Sequence, residues 1–418
     1  MGPARPRVDP RLAAWLATLI ALMAAGGGAW LYQQWNGLRV TNMRNTFMWG
    51  NYILFFMFFV GLSAGGLIVA SSGRLFGATR FKPIVRVAVL EATVAITLAG
   101  TFIVPDLGRP ERLLHIFLFA NLTSPMVWDV TIVLLYLGLS ATYVWLYTRA
   151  DLAGRGSPLA LGTGTSERAL RRDDRLKGAL AWVALPAAIL LHSITAWIFG
   201  LQIGRTFWYT AVMAPMFIAS ALVSGLALVI LLALAVRWAG RLRFDDGLVP
   251  YLGGLLAVFI ASEAFLLFAE LLTAAYPGAP AEGQAVTRLL AGPYLVPFLG
   301  ETAFGLLLPF ALLASARLRR YPAVVALAAG IAVVGIFVHR LNLLLNALSV
   351  PTIALPPGLS IGVGQAGSVG LPGAAFATSY WYLPSPVEWL VVGGVLALGA
   401  FLFTVAAWYL PLQEPDHH

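Results

Sequence analysis

Stretches of apolar residues, separated by short polar or Gly/Pro-containing connectors, recur ten times along the chain, near 12–31, 46–72, 83–104, 126–148, 179–199, 211–236, 249–275, 296–317, 322–346 and 387–409. Each has about the 20 residues that a helix needs to cross the hydrocarbon core of a bilayer. In lipid every backbone N–H and C=O must be bonded within its own segment, so stretches of this length predict helices. The first is longer than a signal-peptide core and lacks a small-residue cleavage site, which predicts a retained helix.

A weak repeat organises these stretches. Trp49 opens a run ending Ala64-Gly65-Gly66-Leu67, and Trp208 opens one ending Val223-Ser224-Gly225-Leu226 in the same register and orientation. Each run begins a block of four spans, 46–199 and 211–346, whose fourth span carries a histidine, His192 or His339. The expected fold is an all-α integral membrane protein of about ten transmembrane helices, two four-helix bundles with the first and last helices peripheral. The expected divisions are a tail, first helix and outer loop over 1–45, the bundles over 46–199 and 200–346, a Gly/Pro-rich outer loop over 347–386, and the last helix and tail over 387–418. The 347–386 loop is uncharged and is expected to lie across the outer surface against another subunit. The 149–178 segment reads as a solvated basic connector.

Composition agrees with the pattern. Of 418 residues, 60% are hydrophobic and 11% charged, against about 25% charged in a soluble domain, and the mean hydropathy is +0.83. Cysteine is absent, so the chain supplies no disulfide and no thiolate for an iron–sulfur cluster. The net charge of +9 is not a nucleic-acid signature, because the charges are distributed by side. Twenty of the 27 Lys and Arg fall on the side that holds both termini, and Arg39, Arg44, Arg109, Arg112, Arg205 and Arg288 fall on the other. The positive-inside rule then makes both termini cytoplasmic.

The remaining polar residues are the candidate chemistry, since ionisable groups at membrane depth are costly. Pro105-Asp106-Leu107-Gly108-Arg109-Pro110 is a dense polar knot between two apolar runs, with prolines that stop helices and a glycine for the bend. Asn51 and Asp129 open the second and fourth spans on the outer side. His192 with Thr195, Glu270, Glu301, and His339 with Arg340, Asn342 and Asn346 lie in outer halves, while Glu91 and Glu263 lie near mid-depth. Helical spacing puts Glu263 and Glu270 on one face and His339, Asn342 and Asn346 on one stripe. The outward bias points to one polar pocket near the outer surface. Such a pocket suits a quinone: the isoprenoid tail enters from lipid, ring oxygens meet donors such as His, Asn or Thr, and quinol protons pass to Glu, Asp or His. Two other readings fit parts of the pattern, a haem-b cytochrome anchor through His192 and His339 and a secondary transporter.

Trp49-Gly-Asn51-Tyr52 through Gly61-Leu-Ser-Ala-Gly65-Gly66, the Asp-Leu-Gly-Arg-Pro connector, Ser124-Pro-Met-Val-Trp128-Asp129, and His192-Ser-Ile-Thr195 with Arg205 and Trp208 resemble the NrfD/PsrC family. The ten-span length is similar to its larger branch. The resemblance implies a multi-pass subunit of a bacterial or archaeal cytoplasmic membrane, not catalytic alone. It exchanges electrons between menaquinone or ubiquinone and a periplasmic iron–sulfur subunit, which feeds a molybdopterin catalytic subunit. It implies no haem, metal or iron–sulfur cluster in this chain. The expected quinone-binding residues are Asn51, Asp106, Arg109, Asp129, His192, Thr195 and His339. Where some members carry a histidine one turn after the asparagine, this chain has Phe55. Proton transfer, as proposed for some of the branch, would use Glu91, Glu263, Glu270, Glu301 and Arg340.

Overall fold

The computed structural model describes residues 9–44, 46–161, 164–350 and 382–413. Among them are ten helices long and apolar enough to cross a membrane and no strand; the fold is all-α and integral to the membrane. The spans are α1 (Pro10–Asn36), α2 (Asn51–Leu75), α3 (Thr79–Asp106), α4 (Pro125–Gly154), α5 (Glu167–Gly200), α6 (Met213–Trp238), α7 (Leu248–Ala275), α8 (Leu295–Ala314), α9 (Pro322–Ser349) and α10 (Pro386–Tyr409). Successive spans alternate in direction. One end of the molecule, the Asn51 end, holds the starts of α2, α4, α6, α8 and α10; the opposite, Arg149 end holds their C-termini. The expected 347–386 loop lies mostly outside the described residues, as does the terminal His417-His418.

Burial orders the helices around α2. In its most apolar stretch 89% of residues are buried, against 11% in α1, so α2 is the axis and α1 a peripheral helix. Small residues let the axis be crowded, as membrane packing without a hydrophobic drive requires. A Cβ on Gly65 of α2 would collide with the backbone of Gly225 in α6. The two runs that looked alike in sequence therefore meet each other, and their opening tryptophans, Trp49 and Trp208, stack with ring centroids 6.1 Å apart. At the edge α1 packs on α10 and α10 on α3, with Gly26 directly against Gly394.

Two expectations change. The 149–178 segment is largely structured: α4 runs to Gly154, Ser166 caps α5 by accepting from the Ala169 amide, and α5 starts at Glu167. Arg149, fully buried, donates from Nε to Asp173 Oδ2 at 2.6 Å, an ion pair that ties α4 to α5 instead of solvating a loop. At the other end α3 runs through Pro105 and ends at Asp106. Pro105 leaves the Thr101 carbonyl without its intrahelical amide, yet the helix continues through it, so Asp106 belongs to the helix and only Leu107 onward to the connector.

Candidate functional site

Toward the Asn51 end, the residues expected to share one pocket fall into three hydrogen-bonded groups. The first surrounds Asn51, which is buried and opens α2. Its backbone N–H donates to Tyr382 Oη at 2.6 Å, and the Tyr382 hydroxyl donates in turn to Glu388 Oε1. Glu388 Oε2 accepts the amides of Asn42 and Ser385, each at 2.8 Å, completing a capping box at the start of α10. Tyr52 donates to Gln33 Oε1 at 2.6 Å, and Gln33 Nε2 donates to the Pro105 carbonyl at 2.6 Å. Burial, with Glu388 beside it, holds the Tyr382 hydroxyl well above the ordinary phenol range, so it stays a donor. Asp106 is half-buried, and its Oδ1 is shielded and meets no partner among the described residues; the same is true of Asn51 Nδ2.

The second cluster joins α4 and α5. Thr195 Oγ1 donates to Asp129 Oδ1 at 2.5 Å, and both residues are buried. One turn before Thr195, His192 Nδ1 lies 2.7 Å from the Ala188 carbonyl. A carbonyl only accepts, so the proton sits on Nδ1 and Nε2 carries the lone pair. That Nε2 is buried with no hydrogen-bond partner among the described residues, and the ring lies beside the Val60 and Gly61 backbone of α2.

The third cluster draws on α6 to α9. Glu301 Oε1 lies 2.7 Å from His339 Nδ1, and Glu301 Oε2 accepts from Asn342 Nδ2 at 2.6 Å. His339 Nε2 is 3.7 Å from Glu263 Oε1. Arg340 donates from Nη2 to Ser220 at 2.5 Å and lies over the Phe217 ring, 3.7 Å from its centroid. Glu270 is also buried, with Oε1 unpartnered. Both Glu301 and Asn342 sit in π turns, Gly300–Leu307 and Asn342–Asn346. A π turn fits in an extra residue and re-aims the face beyond it, and such turns recur at functional sites. Hence Asn346 leaves the expected stripe and donates instead to the Ala285 carbonyl at 3.1 Å.

Of the remaining expected residues, Arg109 is exposed on the connector with no side-chain hydrogen bond or ion pair among the described residues. Glu91 is buried near the middle of α3 with both oxygens unpartnered. Arg205 and Trp208 brace the site from outside: Arg205 donates to the Val350 carbonyl at 2.7 Å and Trp208 Nε1 to that of Leu343 at 2.8 Å. Sequence reasoning missed Gln33, Tyr52, Tyr382 and Glu388. The one available signal was Ser385-Pro-Val-Glu388, a capping-box spacing ahead of an apolar run. No group of three side chains suited to a metal ion is found among the described residues.

A family model described as polysulphide reductase, NrfD, matches residues 39–352. The chain belongs to the NrfD family. The matched stretch of this NrfD protein contains every residue of the second and third clusters but leaves out Gln33, Tyr382 and Glu388. Relatives span nearly the whole chain. A Halobacterium salinarum protein named as a candidate membrane subunit of dimethyl sulfoxide reductase is 41% identical over 96% of this chain and 92% of its own length. A selenate reductase subunit of Mesobacillus selenatarsenatis is 25% identical over 94% of this chain and 93% of its own length. The Hdr-like menaquinol oxidoreductase integral membrane subunit of Archaeoglobus fulgidus is 25% identical over 93% of this chain and 90% of its own length.

Proposed function

We propose that this chain is the membrane subunit of a respiratory oxidoreductase complex, binding menaquinol or another quinol near the Asn51 end and exchanging electrons with an iron–sulfur subunit docked there. The observation that carries the reading is the pair of buried polar atoms at that end with no hydrogen-bond partner among the described residues, Asn51 Nδ2 and Asp106 Oδ1, with His192 Nε2 likewise without one deeper in the same half, beside Val60 and Gly61 of α2. A buried polar atom without a partner costs on the order of 1–3 kcal/mol. A quinone–quinol couple offers what this set lacks, a carbonyl for a donor and hydroxyls for two acceptors. Oxidation of a quinol breaks two O–H bonds; its protons would pass to His192 Nε2 and a carboxylate, and its two electrons would leave one at a time for iron–sulfur clusters of the partner. Asp129, oriented by Thr195, is the buried carboxylate of the second cluster and the one assigned to this step. The third cluster, with Glu263, Glu270, Glu301, His339 and Arg340, then holds and passes protons further, and Glu91 serves the same role in α3.

The names of the relatives, two of them reductase subunits and one a menaquinol oxidoreductase subunit, support the assignment. The charge asymmetry supports placing both termini in the cytoplasm and the Asn51 end outside. An apolar shelf just beyond Arg109, with Leu118, Phe119 and Leu122 each more than 70% exposed, supports a docked partner at that end. Arg109 is placed at this docking face, away from the ring.

The test is purification of the chain in mild detergent with mass spectrometry of its companions and assays for iron, molybdenum and haem. A Cys-rich companion carrying iron, together with a molybdopterin subunit, is expected. Stoichiometric haem b would favour a cytochrome anchor, and a solitary chain without quinol turnover would favour a transporter. Within the intact complex, His192→Ala and Asp106→Asn are both expected to slow quinol turnover; unchanged rates in both would remove the site assignment.

A further inference from the structure

A cavity of about 490 Å³ lies between α1, α3, α4 and α10. Two of its walls, α1 and α10, lie outside the stretch matched by the family. Its lining is apolar apart from Trp30, Thr97 and Thr101. The two threonines direct their hydroxyls to carbonyls of their own helix, Thr97 to Thr93 at 2.7 Å and Thr101 to Thr97 at 2.8 Å, so neither needs a partner in the cavity. Trp30 Nε1 is different: it is buried and unpartnered. Glycines keep the cavity open, since at Gly27 and Gly100 an added Cβ would meet nothing within 4 Å. Leu134 on the lining is 51% exposed, which connects the cavity with the lipid side of α4.

Position relates this cavity to the polar clusters. Its lining ends at Pro105, whose carbonyl is held by Gln33 and whose neighbour Asp106 carries the unpartnered Oδ1. Val133 on the α4 wall is one helical turn from Asp129 and on the same face. A long, uncharged cavity, open to lipid and ending at polar groups that lack partners, fits an amphiphile with one apolar chain and a compact oxygen-bearing head.

We propose that this cavity binds the isoprenoid chain of the long-chain quinone along Gly27 and Gly100, with the ring at the Pro105 end next to Asp106. The peripheral pair α1–α10 is thereby part of the substrate site and selects for chain length. The inference rests on the quinone reading above. A phospholipid acyl chain is the competing occupant.

The experiment uses the intact complex in liposomes, with a long-chain menaquinol and a naphthoquinol of the same ring lacking the chain. Gly27→Leu and Gly100→Leu fill the cavity without striking backbone, and Gly28→Leu, equally open but off the lining, is the control. The fillers are expected to raise KM for the long-chain quinol at least tenfold and that for the chainless quinol less than twofold, with Gly28→Leu unchanged. Equal shifts for the two quinols in the fillers would mean a packing defect and overturn the proposal. Loss of a bound phospholipid from the fillers, with both KM values unchanged, would assign the cavity to lipid and overturn it as well. Absence of turnover with either quinol in the unaltered complex would instead remove the quinone reading on which the proposal stands.

Discussion

The α4–α5 cluster and the α6–α9 cluster share the Asn51 half of the molecule but not its chemistry. Around Asp129, Thr195 and His192 there are few polar groups, one short bond between two of them, and a lone-pair nitrogen with no partner. Around Glu301 there are three buried carboxylates, from Glu263, Glu270 and Glu301, facing one guanidinium and one imidazole. A sparse site with a free acceptor is suited to bind a neutral ligand that supplies the missing group. A site with three buried carboxylates around one imidazole and one guanidinium fits the proton-transfer part of the proposed function. On the proposed function, the contrast in crowding, more than depth in the membrane, divides ligand binding from proton transfer.

The sharpest way to break the comparison is to unbalance the crowded cluster. Arg340 is its one permanent cation, and removing a buried charge's partner costs about 3–5 kcal/mol. Arg340→Ala is expected to cut thermal stability of the detergent-solubilised protein by about that much, and pairing it with Glu263→Gln should recover part of the loss. If Arg340→Ala unfolds at the wild-type temperature, the cluster is already neutral and the charge argument for proton storage fails.

The second prediction concerns the sparse cluster. His192→Ala removes the proposed base, and loss of a positioned general base lowers rates about 100-fold or more. Quinol turnover by the intact complex should fall by at least that factor while the unfolding temperature stays near wild type, the reverse of the Arg340 pattern. A variant that loses stability and activity in parallel would place His192 among structural residues. Thr195→Val then sharpens the result. It keeps the shape but leaves Asp129 Oδ1 without the donor seen at 2.5 Å, a cost of about 1–3 kcal/mol. Thr195→Ser, which restores the hydroxyl, should recover most of it, as read by thermal unfolding of the two variants.

Of the sparse cluster, His192 with Thr195 was legible because they lie one turn apart, whereas the bond from Thr195 to Asp129 crosses 66 residues and depends on how α4 docks on α5. The ten spans were legible too, since length and hydropathy alone specify helices in lipid. The crowded cluster was legible only in outline. A stripe of His339, Asn342 and Asn346 assumes an unbroken α-helix, and the π turn at Asn342–Asn346 breaks that assumption. The ring around Glu388 was not legible at all, for its bond to Asn42 spans 346 residues and its meaning depends on where α10 docks. The Arg149–Asp173 pair was hidden for a different reason. A charged run reads as solvated until a partner on the next helix is known, and burial here comes from α5 starting well before its apolar stretch.

The smallest expected effect tests whether the connector belongs to either cluster. Arg109 occupies the most distinctive motif of the chain, yet its side chain is exposed and unpartnered among the described residues. Surface changes of this kind alter stability by about 0.5 kcal/mol or less, so Arg109→Ala should unfold like wild type. An exposed charge is screened over about 10 Å at 0.1 M salt, so it cannot act on His192 or Glu301 through the protein as the buried groups do. Its influence should therefore fall on the partner subunit: weaker assembly of the complex at raised salt, with KM for quinol unchanged in the complexes that remain. A rise in quinol KM without loss of assembly would move Arg109 back to the ring and merge the connector with the sparse cluster.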